Sequence, residues 1–193
     1  MAERRYNAVA MLLHWLIAGL LIWNIGLSWY FDKLEGMAKI APIQLHKSIG
    51  LTILVLSLAR LAWRFISPPP SLPAYVRGWE RNVAHLTYGV FYVVMIGMPL
   101  TGWAFSSASR LIHLYPLSLF GVVPWPAIGP LANLPPDQMK TAHDAFLLGH
   151  EILSKFAYLL ILLHVGAALR HQFIKRDDIL ARMVPLMRIK GPV

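Results

Sequence analysis

Residues 9–29, 43–65, 83–105 and 145–172 form four long apolar runs almost free of charge. A helix rises ~1.5 Å per residue, so about 20 apolar residues cross the ~30 Å hydrocarbon core of a bilayer. Inside lipid, a chain that is not a closed barrel must satisfy its backbone as helix. The runs therefore predict an all-α, integral membrane four-helix bundle, with residues 1–193 as one transmembrane domain. Composition agrees: 57% of residues are apolar and 14% charged, against roughly a quarter charged in soluble domains. Arg4 and Arg5 ahead of the first run give it the look of a secretory signal. The run is longer than an h-region of ~7–15 residues and lacks a small-x-small cleavage site, so it reads as a retained helix.

The basic residues report sidedness. Arg4, Arg5, Arg60, Arg64, Arg77, Arg81, Arg170, Lys175, Arg176, Arg182, Arg188 and Lys190 fall on one side of the expected bundle. Lys33, Lys39, Lys47, Arg110 and Lys140 fall on the other, offset by Asp32, Glu35, Asp137, Asp144 and Glu151. The positive-inside rule then places both termini in the cytoplasm and the long connection 106–144, rich in Pro and Trp, outside. Trp29, Tyr30, Trp63, Trp79, Trp103 and Trp125 lie near span ends, where interfacial anchors belong. A formal net charge of +9 is thereby assigned to topology and anionic lipid, not to nucleic acid.

Eight histidines and no cysteine narrow the chemistry. Thiolate nucleophiles, disulfides, iron–sulfur clusters and C-x-x-C-H heme attachment are excluded. Ionisable groups within a bilayer are costly and mark function. His150 and His164 lie on one helix 14 residues apart, hence ~21 Å apart along its axis and only ~40° apart in direction. His14 enters the first span at the depth of His164, and His46 enters the second at the depth of His150. Two imidazoles at one depth, from two helices, suit six-coordinate heme iron with one ligand on each face; zinc would require three or four at one depth. The string beginning His150-Glu151 ends in Ser154, so it is not H-E-x-x-H. His85 competes for the inner position, whereas His113, His143 and His171 are expected at the surface. Arg60 follows His46 by 14 residues and so shares its face at the inner depth. A guanidinium there calls for an anion such as a heme propionate. Lys47 and Lys155 are the corresponding candidates at the outer depth.

With these residues in place, the chain resembles the bacterial di-heme cytochrome b561 family, related to the b-type subunits of nickel–iron hydrogenases. The resemblance runs through "LLHWLIAGLLIW", "LHKSIGLTILVLSLARLAWR", "AHLTYGVFYVVMIGMPLTGW" and "HEILSKFAYLLILLHVGAALRHQF". Its most specific element is His-Glu followed by a second His 14 residues later in an apolar helix. The resemblance implies two non-covalent b hemes, held by His14 with His164 and by His46 with His150. It implies a multi-pass protein of the bacterial inner membrane, monomeric or homodimeric. Such a protein moves electrons between a periplasmic-side donor and the quinone pool, with ubiquinone as acceptor; in some members the donor is superoxide. Lys47, Lys140 and Arg110 are candidates to attract such an anion, and His85 to supply a proton to quinone. The rival readings are a cytochrome subunit of a hydrogenase-like complex, a heme-free His/Arg proton relay or transporter, and an assembly scaffold. The long outer connection departs from the family pattern on the donor's side.

Overall fold

Each apolar run lies within one continuous helix in a computed structural model that describes residues 5–72, 76 and 78–188. Helix α1 spans Ala8–Phe31, α2 Ile40–Ile66 and α3 Gly78–Ser107. A single turn, α4 (Gly129–Ala132), precedes the longest helix, α5 (Pro136–Arg170). The four long helices are long and apolar enough to span a membrane, which is the expected four-helix membrane bundle. Arg4, Pro73, Arg77 and Lys190 lie outside the described residues.

Helix ends follow local chemistry. Asn7 caps α1, its Oδ1 accepting from the Ala10 N–H at 2.8 Å. The same side chain accepts from Trp63 Nε1 at 3.1 Å and donates to Ser67 Oγ at 2.7 Å, tying the start of α1 to the end of α2. Helix α2 stops at Ile66, ahead of Pro68–Pro70, because proline removes a backbone donor and disfavours helix in the residue before it. Helix α5 begins at Pro136, not at the expected residue 145. A proline in the first turn forfeits no hydrogen bond, and the polar residues Asp137, Lys140 and Asp144 carry the helix beyond the apolar span. Helix α3 likewise starts at Gly78, before residue 83.

Helix α1 packs on α2, α2 on α3 and α3 on α5. The core gathers Ile17, Leu21, Ile49 and Ile53, flanked by Leu20, Leu45, Met95 and Ile161. Small residues bring α3 and α5 together: a Cβ on Gly97 would lie 3.6 Å from Leu153 Cδ1, and one on Gly149 3.6 Å from Thr101 Cγ2. Leu12, Ile22, Trp23, Val93, Leu162 and Leu163 are exposed, as apolar residues facing lipid would be. Leu21, Ile53 and Ala157 are buried, each seven residues from the histidines of its own helix. They form an apolar layer between the two histidine depths.

The connection after α3 is more ordered than the all-α expectation allows. A two-residue strand β1 (Ser118–Leu119) pairs antiparallel with β2 (Val123–Pro124). The turn has positive φ at Phe120 (54°) and Gly121 (72°), the arrangement that matches strand twist in tight hairpins. Ser48 of α2 holds it: Ser48 Oγ lies 2.8 Å from the Ser118 carbonyl, to which it donates, and accepts from the Phe120 N–H at 3.1 Å. Trp103 Nε1 donates to the Pro126 carbonyl at 2.9 Å and stacks edge-on against Trp125. At the opposite end, the C-terminal segment folds back across the bundle. Tyr6 N–H donates to the Arg182 carbonyl at 3.2 Å, Trp15 Nε1 to the Met183 carbonyl at 2.9 Å, and buried Arg182 to the Ser71 carbonyl at 2.7 Å. The first and last described segments therefore lie at one end, called here the terminal end; the hairpin marks the loop end.

Candidate functional site

Helix periodicity turns His150 and His164 of α5 to one side of the bundle, and there each meets an imidazole from another helix. His14 of α1 faces His164 with ring centroids 6.2 Å apart and planes at 69°. His46 of α2 faces His150 with centroids 6.4 Å apart and planes at 76°. The two pairs anticipated from depth are thus the two pairs observed. A metal–imidazole bond of roughly 2.0 Å plus about 1.1 Å from nitrogen to ring centre puts the centroids of two trans ligands roughly 6.2 Å apart. Both gaps match one iron taking a nitrogen from each ring. Among the described residues no group of three or more His, Cys, Asp or Glu comes together, which disfavours a protein-only zinc cage. Helix α5 packs closely on α3, and its buried residue is Ala157, midway between its two histidines.

The two pairs are held differently. At the loop end His150 Nδ1 lies 2.9 Å from the Met98 carbonyl and His46 Nδ1 3.3 Å from the Asn24 carbonyl. A carbonyl only accepts, so each Nδ1 carries the proton and donates, leaving Nε2 with its lone pair free for a metal. Gly102 makes this possible, since a Cβ there would stand 3.3 Å from both Cε1 and Nδ1 of His150. Thr101 Oγ1 also donates to the Met98 carbonyl, at 2.7 Å. At the terminal end, among the described residues, neither ring of the His14–His164 pair has a hydrogen-bonding partner. These rings are buttressed instead by aromatic edges, Trp15 against His14 and Phe91 against His164. Phe31 and Phe105 do the same for His46 and His150.

Arg60 lies where its spacing from His46 placed it, close enough to act electrostatically on both His14 and His164. It lines a small cavity with Tyr6, Trp63, Arg64 and Tyr92, while the Arg64 guanidinium sits 5.1 Å from the centre of the Tyr88 ring. Lys47 is half-buried beside His46, and Lys155 is exposed. His85 is not brought to either pair; it is exposed and its ring meets Tyr88. His113 is exposed, as expected.

Two of the histidines expected at the surface are better placed than that. His171 is not solvated but pairs with Asp177 at 2.6 Å, within the π turn His171–Lys175 that ends α5. The chain reverses after that turn at Arg176, which has positive φ, and so carries Asp177 back to the ring. His143 donates from Nδ1 to the Phe105 carbonyl at 3.0 Å. With Arg110, Lys140 and Met139 it lines a cleft of about 270 Å³ at the loop end. Lys140 is paired with Asp144. The Phe105 ring stands between this cleft and the loop-end pair, 5.6 Å from His143 and 5.5 Å from His150. Spacing alone hinted at this, because His143 precedes His150 by seven residues on the same helix face. The hint was overridden by its depth beyond the apolar span.

Comparison with known proteins agrees with this architecture. The family model described as prokaryotic cytochrome b561 matches residues 5–186. The chain is 32% identical to cytochrome b561 homolog 2 of Escherichia coli K12, covering 93% of this chain and 91% of that protein. It is 26% identical to the probable superoxide oxidase CybB of Yersinia pestis, over 96% of this chain and 99% of the relative. It is also 26% identical to cytochrome b562 of Cereibacter sphaeroides, over 94% and 96%. Four membrane-spanning helices and bacterial relatives of matching length make this a multi-pass protein of the bacterial inner membrane. The whole described bundle, with both histidine pairs, falls within the matched region, and the chain belongs to the prokaryotic cytochrome b561 family.

Proposed function

We propose that this b-type cytochrome carries single electrons from a donor at the loop end, on the periplasmic side, to quinone. Both termini are cytoplasmic in this reading, which the excess of Lys and Arg at the terminal end supports. His14 with His164 and His46 with His150 each hold one heme b, and Arg60 neutralises a propionate of the first. Heme b supplies one-electron ferric/ferrous chemistry, and the protein supplies ligation, spacing and dielectric. The observation that carries the reading is the pair of facing imidazoles, 6.2 and 6.4 Å apart, at two depths of one membrane bundle.

Superoxide is the proposed donor. It gives up one electron and leaves as dioxygen. A relative named as a probable superoxide oxidase supports this choice, as does the cleft that gathers Arg110, Lys140 and His143. Arg110 in the cleft would attract an anion beside His143, whose ring meets Phe105, which in turn meets His150. Quinone takes two electrons and two protons, and His85, exposed on α3, is the proposed proton donor to a lipid-borne acceptor.

A pyridine hemochrome assay on detergent-purified protein tests the ligation. The expected result is close to two hemes b per chain. Colourless protein from cells supplied with ample heme would refute it. Reduction of the bound heme by a superoxide flux, abolished by superoxide dismutase, tests the donor.

A further inference from the structure

The connection between α3 and α5 lacks the composition of a segment that lies in water. Residues 111–136 contain no Asp, Glu, Lys or Arg, against roughly a quarter of residues in soluble domains. Nor are its apolar side chains all gathered inward: Val122 is 81% exposed and Phe120 55%, and Val123, Leu111 and Leu114 are exposed as well. Apolar surface of this kind is unfavourable in water and marks contact with a protein or a membrane. Depth decides between the two. Ser48, which holds the hairpin through the Ser118 carbonyl and the Phe120 N–H, lies five residues inside the apolar run 43–65, ~7.5 Å along α2 from its loop-end limit. The hairpin is thereby held at the level of the bilayer boundary and not in the water beyond it. Backbone leaves water only with its polar groups paired. The Phe120 N–H is taken by Ser48, the Val122 N–H by the Leu119 carbonyl at 3.0 Å and the Trp125 N–H by the Leu117 carbonyl at 3.0 Å, while Pro124 and Pro126 carry no N–H. The stacked Trp103 and Trp125 adjoin it, and tryptophan is the residue type that favours the membrane interface. The α5 flank of the same end is the opposite, with Asp137, Gln138, Lys140 and Asp144 exposed.

We propose that the hairpin Ser118–Pro124 is an interfacial anchor, with Phe120, Val122 and Val123 seated among the acyl chains just below the headgroups of the leaflet at the loop end. The occupant of this surface is lipid, continuous with the lipid around the helices. The anchor sets the height of the loop end against the bilayer, with the charge-free connection on the lipid side and the polar start of α5 in water. It stands apart from the ligation proposed above and does not depend on it.

The chain has no cysteine, so Val122→Cys offers a single attachment point for a nitrobenzoxadiazole label, whose emission reports its surroundings. The labelled full-length protein is placed, one copy per disc, in nanodiscs of phosphatidylglycerol and phosphatidylcholine, which leave both membrane faces open to solvent. The expected emission is blue-shifted, loses most of its intensity when the phosphatidylcholine is brominated near the top of its acyl chains, and resists quenching by aqueous iodide. The same label on Gln138→Cys should behave in the opposite way, quenched by iodide and indifferent to bromine. Val123→Cys repeats the measurement where the Val122 conjugate loses its helical circular dichroism. The inference is overturned if the hairpin label is quenched by iodide as strongly as the Gln138 label, or if brominated lipid leaves it unchanged. It is equally overturned if the blue shift arises only in discs carrying two copies, which would assign the surface to a second copy of this chain.

Discussion

Replacing the four histidines singly by alanine puts the pairing to its most direct test. Each pair draws one ring from α5, so on the proposed ligation loss of either ring would leave one protein ligand, and that heme should be lost or become high-spin. The two rings of α5 are 14 residues apart, ~21 Å along the helix. Perturbations more than ~10 Å apart with no shared partner are close to additive. His164→Ala should therefore take the heme content from two per chain to about one and halve the reduced α band. His14→Ala should leave the same residual spectrum as His164→Ala, because the two rings face each other at 6.2 Å. His46→Ala and His150→Ala should leave the complementary one. Within a pair the effects must be strongly non-additive: His14→Ala with His164→Ala should lose no more than either alone. Across pairs, His150→Ala with His164→Ala should lose everything. Hemochrome analysis and low-temperature difference spectra read both outcomes. Different residual spectra for His14→Ala and His164→Ala, or loss of both hemes in the His14/His164 double variant, would refute the pairing.

Three further substitutions probe the frame and the entry side. Asn7→Ala removes the α1 cap, about 1 kcal/mol, and two bonds to the end of α2, about 1 kcal/mol each. It should lower stability by roughly 2–3 kcal/mol, read as earlier thermal loss of the Soret band, while Asn7→Asp should cost much less because its oxygen still caps. Ser48→Ala removes both bonds that hold the hairpin; proteolysis near Phe120 and Gly121 should accelerate while heme content stays the same, and an unchanged cleavage rate would contradict the anchoring. Arg110→Gln removes one cation from the loop-end cleft. At ~7 Å in water a unit charge contributes ~0.6 kcal/mol to an anion's encounter, so the superoxide-driven rate should fall roughly threefold. The difference should vanish at high salt, and a salt-independent effect would argue against steering.

What the sequence disclosed depends on how far each signal reaches along the chain. The spans were legible because burial in lipid needs about 20 apolar residues in a row. The pairs were legible because helix geometry converts a spacing of 14 into a shared face, once His14 and His46 were placed by depth. Arg60 followed from the same arithmetic on α2. The outer turns of α5 were hidden because hydropathy reports membrane depth and not helix, and residues 136–144 are helical but polar. The hairpin at Ser118–Pro124 was hidden because two-residue strands are too short for alternation to show. Nothing periodic announced that residues 182 and 183 would return to Tyr6 and Trp15; those bonds join main-chain carbonyls to distant donors. The partners of His171 and His143 were missed for a related reason: each is set by a chain reversal or a neighbouring helix, not by spacing along one run.

The layer between the pairs would keep protons from following an electron through the bundle. Leu21, Ile53 and Ala157 are buried midway between the two histidine depths, and none offers a proton-carrying group. Two polar side-chain atoms are buried on α1 and α2 beyond them, Asn24 Oδ1 and Ser57 Oγ. Among the described residues neither has a hydrogen-bonding partner, so they begin no relay across the layer. An electron can pass an apolar gap by tunnelling between two redox centres, but a proton needs donors and acceptors within hydrogen-bond reach of one another. On the proposed ligation the two particles are therefore sorted at the middle of the membrane. In the proposed direction electrons would cross from the loop end towards Arg60, while protons for quinone would have to come from the side on which it is reduced. The small side chain of Ala157 lets α5 approach the bundle at that level. On the proposed ligation the two cofactors would sit on either side of it, at the levels of His150 and His164.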